Sequence, residues 1–346
     1  MEDSLLYETT ERLVRETFGR ETVRRGSSGE WLEDAWRLLE GLGIPMALVP
    51  EERGGFGFAL ADAADILRLV GYWAVPLPLS EAMLAAALLA RVGLALPEGV
   101  STIAPPRRTS ARLVREGDGW QIIGEASRVP WARHSATVVV LAGDYLVALP
   151  VSACELVQGV NLAGEPRDNL RFDCSVSALA PAGEFDADHI HAAGAALRTI
   201  MIAGAANRVL DLSVEYACEH QQFGRPIAKF QAVQQNLAII GGQAAVCRAS
   251  GDMAAQALLV PGGGLAIAMA KARAGEAASE AAHLGHQVHG AIGFTDEYDL
   301  QLYTKRIWAW RDEFGNEAEW NEAVGQATLD EPAGPWALIT SQAGQL

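Results

Sequence analysis

The stretch Tyr216-Ala-Cys-Glu-His-Gln-Gln-Phe-Gly-Arg-Pro-Ile-Ala-Lys-Phe-Gln-Ala-Val-Gln234 decides how this chain is read. It lies between two long Ala-rich tracts of helical character. Its Phe223-Gly224-Arg225-Pro226 core breaks them, because Gly accepts the left-handed backbone of a turn and Pro cannot continue a helix. Nothing else in the sequence sets aromatic, basic, Gly and amide residues so closely within packed helix. His220, Gln221, Gln222 and Arg225, followed by Lys229 and Gln231, supply imidazole, guanidinium and amide donors at a helix end. Such a terminus suits an anion, phosphate above all, since free backbone N–H groups and cationic side chains converge there. The same spacing also fits an ordinary interhelix surface with capping interactions, and spacing alone does not separate the two.

Outward from this stretch, residues 189–221, 230–259 and 265–288 read as long helices with apolar positions on several faces, the last two split by Gly262-Gly-Gly264. Ala- and Gly-rich helices of this length pack closely, and a bundle is expected. Residues 303–310 form a last aromatic-bearing helical piece, and the Glu-Pro-Ala-Gly-Pro run beyond Asp330 reads as a tail tied down by Trp336. Residues 98–183 change character. β-Branched, alternating runs at 111–115, 120–124, 136–141, 145–149 and 170–175 leave no room for crossover helices, so they predict a small antiparallel β domain burying Ile122, Val138, Val140 and Val147. Residues 1–97 return to helix: 5–18, a segment capped by Ser28 that carries Trp31, Trp36 and Leu39, then 59–72 and 80–92, the last capped by Ser80. The fold class is therefore α+β. The expected domains are 1–97 helical, 98–183 β and 184–329 helical bundle, with a tail at 330–346.

At 346 residues the chain exceeds the size at which one core stops growing. A formal charge of −16 argues against nucleic acid and anionic membrane partners, although a local Arg pocket can still hold an anionic metabolite. The four cysteines show no CxxC spacing and fit reduced thiols. The Met1-Glu-Asp-Ser start lacks a signal-peptide pattern, and no run of about 20 apolar residues appears. The expectation is a soluble, cytoplasmic protein. His283, His286 and His289 have no matched carboxylate pattern, so no metal site is expected. Neither Ser127 nor Ser135 near His134 makes a hydrolytic triad by proximity in sequence.

A second cluster, Gln287-Val-His-Gly-Ala-Ile-Gly-Phe-Thr295, ends a helix in glycine just after an amide and an imidazole. Together with Val49-Pro-Glu-Glu-Arg-Gly-Gly-Phe-Gly57, Gln222-Phe-Gly-Arg-Pro-Ile227 and the order helical, β, helical, it resembles the acyl-CoA dehydrogenase family over residues 5–325. The resemblance implies an FAD-dependent α,β-desaturation of an acyl-CoA thioester, with electrons passing to an electron-transfer flavoprotein. By motif position it implies that Phe223, Gly224 and Gln231 contact FAD across a subunit boundary, with His220, Arg225 and Phe230 alongside. It also puts Gln287, His289, Gly290 and Ala291 near the adenine or diphosphate and Thr295 close by. Trp131 is the candidate for stacking on a ring, and a place in the β-domain core or rim suits it equally.

The chain departs from the family pattern at several points. His220 stands where the family has Arg, and Ala291 replaces the second Gly of a pair. The β-domain flavin loop is reduced to Ser101-Thr-Ile-Ala-Pro-Pro-Arg-Arg-Thr109. The two positions at which the family carries its catalytic Glu fall on Phe314 and about Gly194. Glu313 is adjacent to the first, but one residue along a helix rotates a side chain by about 100°. This combination resembles the short β subunits of heteromeric actinobacterial steroid-degrading acyl-CoA dehydrogenases. That resemblance implies an α2β2 assembly in which a catalytic α subunit supplies the base. The alternatives are a self-sufficient dehydrogenase with an unusual base, Glu313 among the candidates, and a noncatalytic assembly subunit without flavin contact.

Overall fold

The computed structural model describes residues 2–343 apart from Gly57, Ala59 and Asp118. Helices α1 (Glu2–Thr17), α2 (Arg20–Ser27), α3 (Glu33–Gly41), α4 (Leu60–Tyr72) and α5 (Leu79–Arg91) come first. Strands β1 (Ser101–Ile103), β2 (Thr109–Glu116), β3 (Gly119–Pro130), β4 (Thr137–Ala142), β5 (Tyr145–Pro150), β6 (Cys154–Val157), β7 (Arg167–Val176) and β8 (Leu179–Pro181) follow. The remainder holds α6 (Ala187–Glu219), a hairpin of β9 (Gln221–Gln222) and β10 (Arg225–Pro226), α7 (Gln231–Ala257), α8 (Gly264–His289), α9 (Leu300–Asp312), α10 (Glu317–Asp330) and α11 (Pro335–Ala343). The α+β architecture read from the sequence is the one observed.

The chain divides into two compact units, one of residues 1–13, 21–63 and 76–194, the other of residues 14–20, 64–75 and 195–346. The first contains two four-stranded sheets, ordered β1-β4-β5-β8 and β2-β3-β7-β6. All pairings are antiparallel except β1 with β4, which is parallel. Ile122, Val138, Val140 and Val147, the expected interior, lie buried in one core with Leu149, Leu170 and Phe172. A bulge between Ala126 and Val129 shifts the β3–β7 register and delivers the chain to Trp131.

The second unit is the long-helix bundle. Near α6, side chains shrink until backbones touch: a Cβ on Gly71 would collide with the Met201 carbonyl, and one on Gly204 with the Arg68 carbonyl. Arg68, on this part of α4, is held by Asp65 and Asp252. Cys247 of α7 lies buried against α8 with its thiol 3.7 Å from the Ala274 carbonyl. Of these helices α6 is the interior one, with residues 190–206 buried without a break.

The helix starts differ from the sequence reading at two places. Ser28 does not cap α3. Its hydroxyl donates to the Arg25 carbonyl at the end of α2, a helix the sequence reading missed because its charged run shows no apolar stripe, and Leu32 precedes α3 with no side-chain cap. Ser80 lies inside α5, which begins after Pro78, and its hydroxyl donates to Glu81. Beyond Asp330 the chain forms α11, and Trp336, 76% exposed, ties nothing down; Leu338 is the buried residue there.

The close approach at Gly204 carries a testable consequence. Gly204→Ala should destabilise the chain by about 1–3 kcal/mol in urea unfolding, because the added methyl meets backbone that cannot yield. Gly242→Ala in α7, with open space around its Cα, should instead stabilise the isolated chain by about 0.4–1 kcal/mol.

Candidate functional site

The residues quoted at the outset form one end of the bundle. After α6, Gln222 and Arg225 pair across a two-residue turn in which Phe223 (φ 54°) and Gly224 (φ 78°) both have positive φ. This is the pattern of a type I′ hairpin, which suits Gly at its second position and strains a bulky residue at its first. The turn holds Phe223 92% exposed, edge-on to Phe230 at 6.1 Å, while the Arg225 guanidinium sits 4.3 Å over the Phe230 ring. The hairpin is anchored beneath by Ile227, which packs with Tyr216, Phe230, Ile240 and Val288. Gln231 opens α7, exposed.

The second cluster arrives at the same place. α8 ends at His289, Gly290 turns the chain at φ 64°, and residues 290–294 make a single 3₁₀ turn that leaves Ala291 and Phe294 exposed. Gln287 is exposed, whereas His289 is buried. The His289 Nδ1–H donates to the Gly285 carbonyl at 2.7 Å, a role set by the carbonyl, which can only accept. Burial pushes the His289 ring below its ordinary pKa, which keeps the imidazole neutral. Thr295 Oγ1–H donates to the Ile292 carbonyl, so its hydroxyl closes this turn. Tyr216 joins the two clusters: its ring stacks on His220 at 4.9 Å and on His289 at 4.6 Å, with Tyr298 edge-on at 5.6 Å. The sequence reading began its deciding stretch at Tyr216 without giving that ring a role of its own, and gave Tyr298 no part. The i, i+4 spacing of Tyr216 and His220 was the available sign for the first; the loop position of Tyr298 offered none.

Trp131 lies elsewhere, in the first unit. It is 2% exposed at φ 54°, its N–H donating to the Pro166 carbonyl and its own carbonyl accepting from the Ser135 hydroxyl. Thr102, buried on β1, donates its hydroxyl to the Pro130 carbonyl at 2.6 Å. Arg133 is forked onto the buried Asp168. The Thr102 and Ser135 hydroxyls and this guanidinium are thus engaged within the chain, which leaves them poorly suited to the edge of a flavin ring. The hairpin edge fits better: exposed Phe223, Arg225, Gln231 and Gln287 offer a ring, a cation and two amides to an aromatic, phosphate-bearing group.

Gly194 is buried within α6, and Phe314 follows α9 at φ 53°. The loop around Phe314 is tied from several sides. The Arg198 guanidinium, 2% exposed as a side chain, holds Glu313 at 2.7 Å. The buried Lys271 ammonium donates to the Arg311 and Gly315 carbonyls at 2.5 and 2.8 Å. Trp320 Nε1–H donates to the Phe314 carbonyl, and Arg311 pairs with Glu317 at 2.7 Å. Burial drives Lys271 down to about 7, against the pull of Glu317, Glu313 and Asp312.

A cavity of about 330 Å³ in the first unit is lined by Trp36, Met46, Phe56, Ala86 and Leu96 among others. None of the cofactor-binding or catalytic candidates read from the sequence lines it, although Phe56 of the Val49–Gly57 stretch and Ser101 of the shortened β-domain loop do. Among the described residues no three His, Cys, Asp or Glu side chains group to hold a metal ion, and no helix is long and apolar enough to cross a membrane.

Residues 192–317 match the acyl-CoA dehydrogenase C-terminal domain. The acyl-CoA dehydrogenase IpdE2 of Mycolicibacterium smegmatis is 30% identical over 311 residues, covering 88% of this chain and 92% of that protein. IpdE2 of Mycobacterium tuberculosis is 32% identical over 319 residues, covering 88% and 90%. The chain belongs to the acyl-CoA dehydrogenase family. Among solved structures, the Tcur3481-Tcur3483 steroid ACAD G363A variant shares its fold with a TM-score of 0.85 at 24% identity, covering 94% of this chain and 97% of that one. The ChsE4-ChsE5 complex from Mycobacterium tuberculosis does so at 0.83 and 21%, covering 95% and 98%.

Two measurements follow. His286, stacked on Phe294 and Trp308, is pushed down to about 4, first by burial and then by His289 and His283. Its folded pKa lies below the unfolded value of about 6.5, so the unfolded chain takes up the proton first and stability falls as pH drops from about 6.5 toward 4. Thermal unfolding across this window should show the decline, and His286→Gln should flatten it. Arg198→Met, which leaves Glu313 without its buried partner, should cost about 3–5 kcal/mol in chemical denaturation.

Proposed function

We propose that this chain is the base-less subunit of a heteromeric, FAD-dependent acyl-CoA dehydrogenase, and that a catalytic α-type subunit of the same fold supplies the proton-abstracting carboxylate. The observation that carries this reading is Glu313. It is the carboxylate beside the family's base position, and it is engaged by the buried Arg198 in a part-buried ion pair, while Phe314 occupies the position itself. A general base needs a lone pair within reach of the substrate, and this carboxylate is occupied by a guanidinium.

When bound, the flavin supplies the hydride acceptor. The residues of this chain that would hold it are Phe223, Gly224, Arg225 and Gln231 from the hairpin and α7, with Gln287, Gly290 and Ala291 from the α8 end. Arg225 and the backbone of the turn would offer positive charge and donors to its phosphates, and the exposed Phe223 would offer an apolar ring. His220, stacked on Tyr216, holds the hairpin rather than a phosphate. The internally satisfied β-domain hydroxyls support a flavin shared with the partner over one cradled by this chain alone. PigA, of the same fold at a TM-score of 0.79 and 17% identity, was solved with FAD and proline. A steroid-derived acyl-CoA is the substrate class of the complex, in keeping with the steroid dehydrogenase named among the structural relatives. Electrons leave to an electron-transfer flavoprotein, and the complex is α2β2.

The test is purification of the chain alone and with a base-bearing acyl-CoA dehydrogenase subunit from the same genome, reading flavin absorbance and acyl-CoA-dependent dye reduction. Flavin and activity should appear only in the complex, and Glu313→Gln should leave the complex's pH–rate profile unchanged while lowering its stability. Full activity in the isolated chain, abolished by Glu313→Gln, would overturn the reading. A second variant addresses the hairpin: Phe223→Asn, better suited to positive φ, should raise the stability of the isolated chain by about 1 kcal/mol and weaken flavin retention in the complex.

A further inference from the structure

Three segments that meet at the hairpin end of the bundle come from distant parts of the chain: the last turn of α6 with the hairpin, the end of α8 with the 290–294 turn, and the loop before α9. Hydrogen bonds within each segment account for its local shape. The Ile227 N–H donates to the His220 carbonyl at 2.9 Å and closes the hairpin, Gln222 and His220 meet through their side-chain nitrogens at 3.2 Å, and His289 is fixed to its own helix at Gly285. These contacts do not set one segment relative to the next. Across the segments run one hydrogen bond, from the Tyr298 hydroxyl to the Leu212 carbonyl of α6 at 3.4 Å, the apolar packing of Ile227 with Val288, and the rings. Tyr216 stacks on both His220 and His289, with interplanar angles of 11° and 24°, so one ring touches an imidazole at the hairpin and another at the end of α8, and Tyr298 of the third segment meets it at 73°.

We propose that Tyr216 is a positioning residue that couples the 221–226 hairpin to the 290–294 turn, so that the two meet the cofactor as one preformed edge. The inference rests on the cofactor-facing reading of that edge. The plate acts through its two neighbours. His220 carries the hairpin's closing carbonyl, and His289 is the residue from which Gly290 turns away at φ 64° and ψ −142°. A shift of either imidazole moves the exposed groups beyond it, Phe223 and Arg225 on one side, Ala291 on the other. The ring rather than the hydroxyl does this, because both stacking contacts are face to face. Tyr216→Phe therefore keeps the coupling, and Tyr216→Leu, similar in bulk but without a flat face, loses it.

Hydrogen–deuterium exchange on the full chain tests the coupling without any flavin. In Tyr216→Leu, exchange in both 221–226 and 290–294 should rise by about tenfold, the scale of one lost ring stack, while the middle of α7 and α8 stays as protected as before. Tyr216→Phe should match the unsubstituted chain in both segments. Release of flavin from the heteromeric complex, followed by flavin fluorescence, should be faster by a similar factor for the Leu variant and unchanged for Phe. A Leu variant that loosens one segment only, or a Phe variant as loose as Leu, overturns the coupling. Coupling by exchange with flavin release unchanged overturns the positioning role. A complex that binds no flavin in its unsubstituted form instead sinks the shared-site function, and the exchange result still decides the coupling. Should Tyr216→Leu unfold, His220→Ala replaces it: removal of this half-exposed plate must loosen 221–226 and leave 290–294 as it was, and loosening of neither segment overturns the proposal.

Discussion

The approach of α6 to its neighbours at backbone distance constrains the rest of the bundle. Where Gly71 meets the Met201 carbonyl and Gly204 meets the Arg68 carbonyl, no side chain fits between the helices. The long tracts of Ala and Gly follow from that spacing, and packing of such small groups is stable only if nothing polar is left unpaired among them. Chemistry is thereby expelled from the middle of the bundle to its ends. Lys271 and His289 lie on the same helix 18 residues apart, about 27 Å at 1.5 Å per residue, and they mark two such ends.

The two ends are built by different means. Around Lys271, the Arg311 carbonyl in the last turn of α9 and the Gly315 carbonyl just beyond it are satisfied by a buried ammonium, and the loop is pinned by Arg198–Glu313 and the more exposed Arg311–Glu317. A largely buried pair such as Arg198–Glu313 contributes little net stability, since desolvation offsets the Coulomb gain, but once made it is costly to break. The result is a loop with one conformation, which suits a strut and not a group that must approach a substrate. Around His289 the organising contacts are rings, and the polar groups of the hairpin point outward. A neutral imidazole on an aromatic plate gives shape without committing charge, and the charge that remains at the surface, Arg225, stays available.

Much of this was legible in the chain. The β-domain core at Ile122, Val138, Val140 and Val147 follows from alternation, and the long helices follow from their period, because both patterns report burial on one scale of distance. The hairpin was marked by Phe-Gly-Arg-Pro, whose Gly and Pro have few other uses. What escaped was set by distant residues. The Arg198–Glu313 pair spans 115 positions, so nothing near Glu313 announced that it was engaged. Ser28 and Ser80 are good caps by type, yet the helices begin where Leu32 and Pro78 leave them, since tertiary packing and the fixed φ of proline outweigh a capping preference worth about 1 kcal/mol. Trp131 was read as equally fit for a ring partner or the β domain, and the distinction lay in Thr102, Ser135 and Pro166, which only the folded chain gathers around it.

Three aromatic residues, Trp131, Phe223 and Phe314, hold φ between 53° and 54°. For a bulky side chain this conformation costs on the order of 1–2 kcal/mol, and it persists only where surroundings over-determine it. For Trp131 the surroundings are evident: burial, and hydrogen bonds at both its N–H and its carbonyl. For Phe314 they are the Trp320 bond to its carbonyl and the clamps on either side. Phe223 has a turn geometry that asks for Gly or Asn, an edge contact with Phe230, and a side chain almost wholly in solvent. Two of the three strained sites are stabilised from within the chain. The third carries a large apolar ring where water is its main neighbour, and burial of that ring against another molecule would return roughly 1.5–3 kcal/mol, enough to offset the strain. The same ring that strains the hairpin in the free chain would favour it in a complex, and this asymmetry sets Phe223 apart from the two positions whose strain the fold itself absorbs.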